Sequence, residues 1–425
     1  MNTQHSPLTQ IDMLARQLLW RWVPKWHGAF CDPESGLFHE RLGHAFRPVD
    51  MPHRRLLTQC RQIAMYANAL TARPDLTFTP ALPESFASWV KHFHVPETGG
   101  WRFSIDPAGV PLDTSYDLYA QAFVIFALAH YGRAYPDSPA RELAVMTAQF
   151  IQTHMRAREG FHEAVDVSST PIPAPRRHES HMHLLEACLF AAQTWDDPIF
   201  RTMSDEIAAL FLSRFYDAPH NLLSEYFTEA MRPAPNKDGH IVKEPGHYGE
   251  WIWLLKKHAA LCGDPARYDV LCRPMLDWAN RYGWDETCGG IYDELNDRGD
   301  VIADTKRLWP FAEILKANAL MLDSGMNKDD LKSRMKRMVA VFTRSYMDDR
   351  GFWTEWLTRD LKPATDYMPG TTPYHVYFGI METRDALAAR GRPKSWRAPL
   401  RALAYTVRRQ GADVMRRFKM RWRRN

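Results

Sequence analysis

Apolar residues along the chain fall on helical rhythms. Leu143, Met146, Phe150 and Ile151 form one run, and Met203, Ile207, Leu210, Phe211 and Phe215 form the next. Both keep the i, i+3, i+4, i+7 spacing of a helix with one buried face. Each run lies between two copies of a recurring unit: a Gly-aromatic step, a short acidic or polar extended piece, a polar loop, then an apolar helix. The units begin at Gly36, Gly100, Gly160, Leu222, Gly290 and Gly351, with steps of 64, 60, 62, 68 and 61 residues. A spacing this even is the signature of a repeat architecture.

Each unit therefore reads as two helices joined through a hairpin-like loop. Such a unit cannot bury its apolar faces alone and must stack on its neighbours. The repeats are long-looped and diverged, and none reads as a polar capping unit, so a closed ring is expected rather than an open solenoid. The predicted fold is all-α: an (α/α)6 barrel of about twelve helices, with short β-hairpin loops crowding one mouth. One catalytic domain over 1–400 is expected, followed by a basic tail over 401–425.

Composition narrows the function. Of 425 residues, 45% are hydrophobic and 24% charged, which is ordinary for a globular protein. The net charge is +4, but Arg408 to Asn425 alone carries +7, leaving −3 for the rest. A basic body for nucleic acid is thus not expected. The tail, with Phe418, Met420 and Trp422 among its cations, is a candidate for contact with an anionic surface, although solvated terminal charge is the commoner explanation. The longest apolar runs fall short of a membrane span, and the start MNTQHSPLTQ does not read as a secretory signal. Six scattered cysteines without a C-x-x-C pair fit reduced thiols and a cytoplasmic location.

The loop-to-helix junctions, if they all face one mouth, gather Arg61, Tyr119 with Gln121, His181 and His183, His247 and Glu250, Lys306 with Arg307 and Trp309, and Tyr374 with His375. His247 and Glu250, at i and i+3, can share a face as an imidazole–carboxylate pair suited to proton transfer. Trp101, Trp251, Trp253, Trp309, Trp353 and Trp356 lie in or beside the repeat loops, and aromatic faces pack on pyranose rings. HESHMH, with His178, Glu179, His181 and His183, looks rich in metal ligands. Its i, i+2 histidines do not face one another on a helix, however, and H-E-x-x-H is missing. No metal and no cofactor is expected, and the phosphate-loop and dinucleotide fingerprints do not occur.

CRQIAMYANAL, DLYAQAFVIFALA, HMHLLEA, EPGHYGEWIWLL, TKRLWPFAE and TTPYHVY run from Arg61 to Tyr377. In this order they resemble the N-acylglucosamine 2-epimerase superfamily, which holds cofactor-free mannose isomerases, sulfoquinovose isomerase and cellobiose 2-epimerases. The resemblance implies an (α/α)6 barrel and a catalytic set of Arg61, His183, His247, Glu250 and His375. It implies proton transfer through a cis-enediol, with His247 acting on carbon, Glu250 setting its tautomer, and His375 opening the ring or serving as second acid/base. Arg61 would stabilise charge on the O1/O2 side and His183 would bind the same hydroxyls. Tyr119, Trp309, Trp251, Trp353, His181 and Lys306 are the expected substrate-binding residues. TTPYHVY and the short EPGHYGEW loop look closer to the isomerases of free mannose than to enzymes of N-acylated or disaccharide substrates. The expected reaction is D-mannose to D-fructose, by a monomer or homodimer. A 2-epimerase is the alternative, and an (α/α)6 glycoside hydrolase, nominating Glu186 and Glu250, is a second.

Overall fold

The computed structural model describes residues 6–390, so the basic tail lies outside the described residues. Its helices, in chain order, are α1 (Pro7–Gln17), α2 (Val23–Phe30), α3 (Leu56–Ala72), α4 (Leu82–Phe93), α5 (Leu118–Ala134), α6 (Ala140–His154), α7 (His178–Trp195), α8 (Pro198–Leu210), α9 (Pro245–Leu261), α10 (Asp269–Tyr282), α11 (Leu308–Leu320), α12 (Lys328–Val341) and α13 (Pro373–Ala388). A π-helical turn, Leu18–Trp22, joins α1 to α2.

The helices form two concentric rings. The inner ring runs α3, α5, α7, α9, α11, α13, each packed on the next, and α13 returns to α3 to close it. Tyr377 donates to Asn68 at 2.9 Å across that seam. Outside, α4, α6, α8, α10 and α12 each back the inner helix before them, and α1 backs α13. This is the closed (α/α)6 barrel, with the first helix of the chain completing the outer ring behind the last. Position in the ring explains the two hydrophobic rhythms. Inner helices are covered all round, so α5 buries residues on every face. Outer helices bury one stripe, as α4 does with Phe86, Trp89, Val90 and Phe93. No helix among the described residues is long and apolar enough to cross a membrane.

Small antiparallel sheets tie the ring together at one end. Arg54–Arg55 pairs with Ser104–Ile105, Tyr116–Asp117 with Ala164–Val165, Arg176–Arg177 with Tyr226–Phe227, Val242–Lys243 with Leu295–Asn296, and Lys306–Arg307 with Trp356–Leu357. Arg41–Gly43 pairs with Tyr367–Pro369 and closes the set. In each case the strand leading into one inner helix pairs with the extended piece of the following unit. The glycines opening four of the units, Gly36, Gly160, Gly290 and Gly351, have φ of 64–88°, the left-handed region in which a side chain is strained.

Candidate active site

The repeat itself builds the site. Glu40 accepts from the Arg55 amide and the Thr58 hydroxyl, and Glu163 from the Arg177 amide and the Ser180 hydroxyl. Glu355 accepts from the Thr372 hydroxyl. Each is a carboxylate on the extended piece that caps the next inner helix, satisfying its first N–H groups or the side chain of its first turn. Glu225 holds the same place in its unit and caps α9 through the Glu244 amide at 3.2 Å. Where the other units put Thr58, Ser180 and Thr372, α9 has His247, and its Nδ1 donates to Glu225 at 2.8 Å.

A second imidazole shares that carboxylate: His178 Nε2 lies 3.1 Å from Glu225. The Trp251 indole N–H, which can only donate, reaches His178 Nδ1 at 3.1 Å. His178 therefore carries its proton on Nε2, facing Glu225.

One turn deeper, each inner helix contributes one residue to a layer: Arg61, Phe123, His183, Glu250, Glu313 and His375, each six residues beyond its leading-strand position. The Arg61 guanidinium lies 4.4 Å over the Phe123 ring and 4.8 Å over Tyr374, and donates to the Tyr119 hydroxyl at 2.5 Å. His183 Nδ1 is 3.0 Å from Glu186 and 3.6 Å from Glu250. His375 Nδ1 donates to Glu313 at 3.1 Å, and Glu313 faces Lys316 at 2.5 Å. Trp309 stands between the two layers, its ring centroid 4.7 Å from His247 and 5.8 Å from His375.

Electrostatics drive the two imidazoles apart. Burial works to lower the pKa of His247, but Glu225, Glu244 and Glu179 surround it and carry it up to about 10. His375 is pushed down to about 4 by burial, only partly opposed by Glu313. At neutral pH His247 is a cation that can donate from Nε2, and His375 is neutral with Nε2 unprotonated. No side chain among the described residues bonds either Nε2. An acid and a base thus both neighbour the Trp309 ring.

Arg61, His183, His247, Glu250, His375, Tyr119 and Trp309 come together here, but the expected pairing of Glu250 with His247 is corrected. Glu225 holds His247, whereas Glu250 lies a turn deeper and faces His183. Four expected substrate-binding residues lie elsewhere. His181 accepts from the Phe161 amide at 3.0 Å, as Gln59 and Gln121 accept from Phe38 and Trp101. It is a hairpin pin of the repeat, and burial pushes its pKa down to about 3. Lys306 is fully buried and bonds Asp285, Gly289 O and Arg359 O at 2.9, 2.6 and 2.7 Å. Trp251 is buried against Phe211 and supports His178. Trp353 is buried edge-on to Trp26 and stacked on Phe30, against α2. Sequence reading missed Glu225, Glu313 and Lys316. The position of Glu225 was readable, because the units carry Glu40, Glu163, Asp293 and Glu355 at the same point.

Donor atoms of His178, Glu225 and His247, and of His183, Glu186 and Glu250, lie within 4.8 Å of one another. In both groups the imidazole nitrogens that face the carboxylates already take part in hydrogen bonds to them or point an N–H at them.

A profile of the N-acylglucosamine 2-epimerase family matches residues 36–379. A mannose-6-phosphate isomerase of Rhizobium meliloti is 30% identical over 374 residues, 86% of this chain and 94% of that one. Among solved structures, the cellobiose 2-epimerase of Spirochaeta thermophila superposes with a TM-score of 0.81 at 24% identity, over 91% of this chain and 98% of that one. A D-mannose isomerase superposes with 0.79 at 21% identity, over 89% and 98%.

Proposed function

We propose, starting from the fact that the chain belongs to the N-acylglucosamine 2-epimerase family and is a sugar isomerase or epimerase, that it interconverts D-mannose and D-fructose without a cofactor. The observation that carries this reading is the pair of imidazoles beside Trp309, one cationic and one neutral, each held through Nδ1 by a buried carboxylate.

The charge states support the opposite division of labour to the one expected from sequence. His375 Nε2 removes the proton from C2 of the open-chain aldose, and the electron pair moves to O1. The His247 imidazolium and Arg61 face the charge that develops there, giving a cis-enediol. His375 then returns its proton to C1, and the O2 hydroxyl gives its proton to His247, which has protonated O1; the ketose forms with both imidazoles restored. Each positioned proton-transfer group contributes about 10²–10⁴-fold.

The rim favours an uncharged sugar. Arg55 faces Glu40 at 2.7 Å, Arg177 faces Glu179 at 3.0 Å, and Arg307 faces Glu244 and Asp293 at 2.8 Å. These guanidiniums are already neutralised, so a phosphate would have to break an ion pair to gain one. The three buried carboxyls of the layers below face His, Lys and Tyr side chains, which does not suit a pair flanking a glycosidic bond. A 2-epimerase is the second reading, since a proton returned to the opposite face of C2 uses the same two imidazoles.

The test is a comparison of kcat/KM, with chelator present, for D-mannose, mannose 6-phosphate, cellobiose and N-acetylglucosamine. D-Mannose giving D-fructose with the highest value is expected. Preference for the phosphate ester, or loss of turnover that returns only with a divalent metal, overturns the proposal.

A further inference from the structure

Beneath the two imidazoles lies a set of charged groups of which the reaction as described uses only Arg61 directly and Glu313 through His375. Arg61 and Lys316 are cations; Glu186, Glu250 and Glu313 are carboxyls, and each of the three is at most 1% exposed. Glu313 is satisfied by Lys316 and His375. Glu186 accepts from the Tyr374 hydroxyl through Oε1 and lies 3.0 Å from His183 Nδ1 through Oε2. Glu250 is different: neither of its oxygens has a hydrogen-bond partner among the described residues, and Oε1 stands 3.6 Å from the same His183 Nδ1.

A buried carboxylate with two unpartnered oxygens is costly, and a carboxyl in that position keeps its proton instead. Charge counting gives the same answer. With His183 and His375 both pushed toward the neutral form by burial, two cations balance two carboxylates and leave the third to be protonated. We propose that Glu186 and Glu250 hold one proton between them across His183 Nδ1, so that the floor of the site contains a neutral carboxylic acid. Burial raises both groups, Glu186 to about 7 and Glu250 further. The groups facing the pair are Arg61 from α3, Tyr119 from α5, His183 from α7, His247 from α9, Glu313 and Lys316 from α11, and Tyr374 and His375 from α13.

Glu186 is then a positioning residue. Sharing the proton fixes His183 with Nδ1 toward the carboxyls and Nε2 toward the opening. It also removes a third negative charge from beside Arg61, leaving the guanidinium for the enediol oxygens. That consequence rests on the isomerase reading; the shared proton does not.

The experiment is infrared spectroscopy of the ligand-free full-length protein in H₂O and D₂O, with Glu186→Gln and Glu250→Gln. It is run at about pH 9, above the values near 7 to which burial raises Glu244 and Glu355. The expected result is a carbonyl stretch of a protonated carboxyl that shifts on deuteration and vanishes in both variants, since removing either carboxyl lets the other ionise against the two cations. The proposal is overturned if the wild-type protein lacks this band, if the band survives in both variants, or if only one variant loses it. The wild-type spectrum alone decides the first case, whatever the stability of the variants. No substrate is present, so failure here is distinct from failure of the isomerase reading.

Discussion

Glu225 accepts the His247 Nδ1 proton at 2.8 Å while also capping the helix on which His247 stands. In three other units the carboxylate at that place accepts from a Thr or Ser hydroxyl of the helix start instead. Putting a histidine at that one position converts a structural cap into the partner of an acid. The imidazole is fixed by one oxygen of the carboxylate whose other oxygen caps its helix.

Replacing Glu225 with Gln tests this double role. Without the adjacent negative charge the pKa of His247 falls, so a reaction that needs the imidazolium loses its alkaline limb toward lower pH. Activity near neutrality drops by about 10²-fold, and the weakened cap costs about 0.5–2 kcal/mol of stability. A pH profile of kcat/KM, beside a thermal melt, reads both.

His375 sets the other side of the profile. A base held at about 4 is in its active form at every higher pH, so the acid limb of the wild-type profile lies well below the ordinary histidine range. His375→Asn lowers kcat by about 10²–10⁴-fold with the circular dichroism spectrum unchanged.

His181 is predicted to be replaceable by the residue its sister units use. His181→Gln keeps both activity and melting temperature, as the Gln reproduces the bond made by Gln59 and Gln121. His181→Ala leaves the Phe161 amide buried without a partner and costs about 1–3 kcal/mol, with KM unaltered. Denaturant titration distinguishes the two variants.

Lys306→Met removes the cation opposite buried Asp285. Asp285 keeps only the exposed Arg359, 3.4 Å away, as a cationic partner, and the loss is at most about 3–5 kcal/mol, the cost of an uncompensated buried charge. The loss appears in denaturant titration, while KM for the sugar is unaffected.

The ring was legible because its physics is one-dimensional: an even repeat, one-faced helices between the units and a mainly apolar helix within each state the barrel before any site is known. The site residues that lie on inner helices were legible for the same reason, since equivalent places in the units converge at one mouth. What was not legible is which carboxylate serves which histidine. His247 and Glu250 are neighbours along α9, but six residues past its leading strand Glu250 has turned inward to His183, and the partner of His247 comes from across a hairpin, 22 residues earlier in the chain. Trp251 and Trp353 misled because a buried indole and a sugar platform look alike in sequence; only their neighbours, His178 in one case and Trp26 in the other, tell them apart.

The most direct test of the account is a proton NMR time course of the wild-type protein and His375→Asn with D-mannose in D₂O, chelator present. The account predicts fructose and deuterium at the reacting carbon with the wild type, and neither with the variant. Deuterium wash-in that persists at the wild-type rate in His375→Asn would contradict the assignment of His375 as the base at C2.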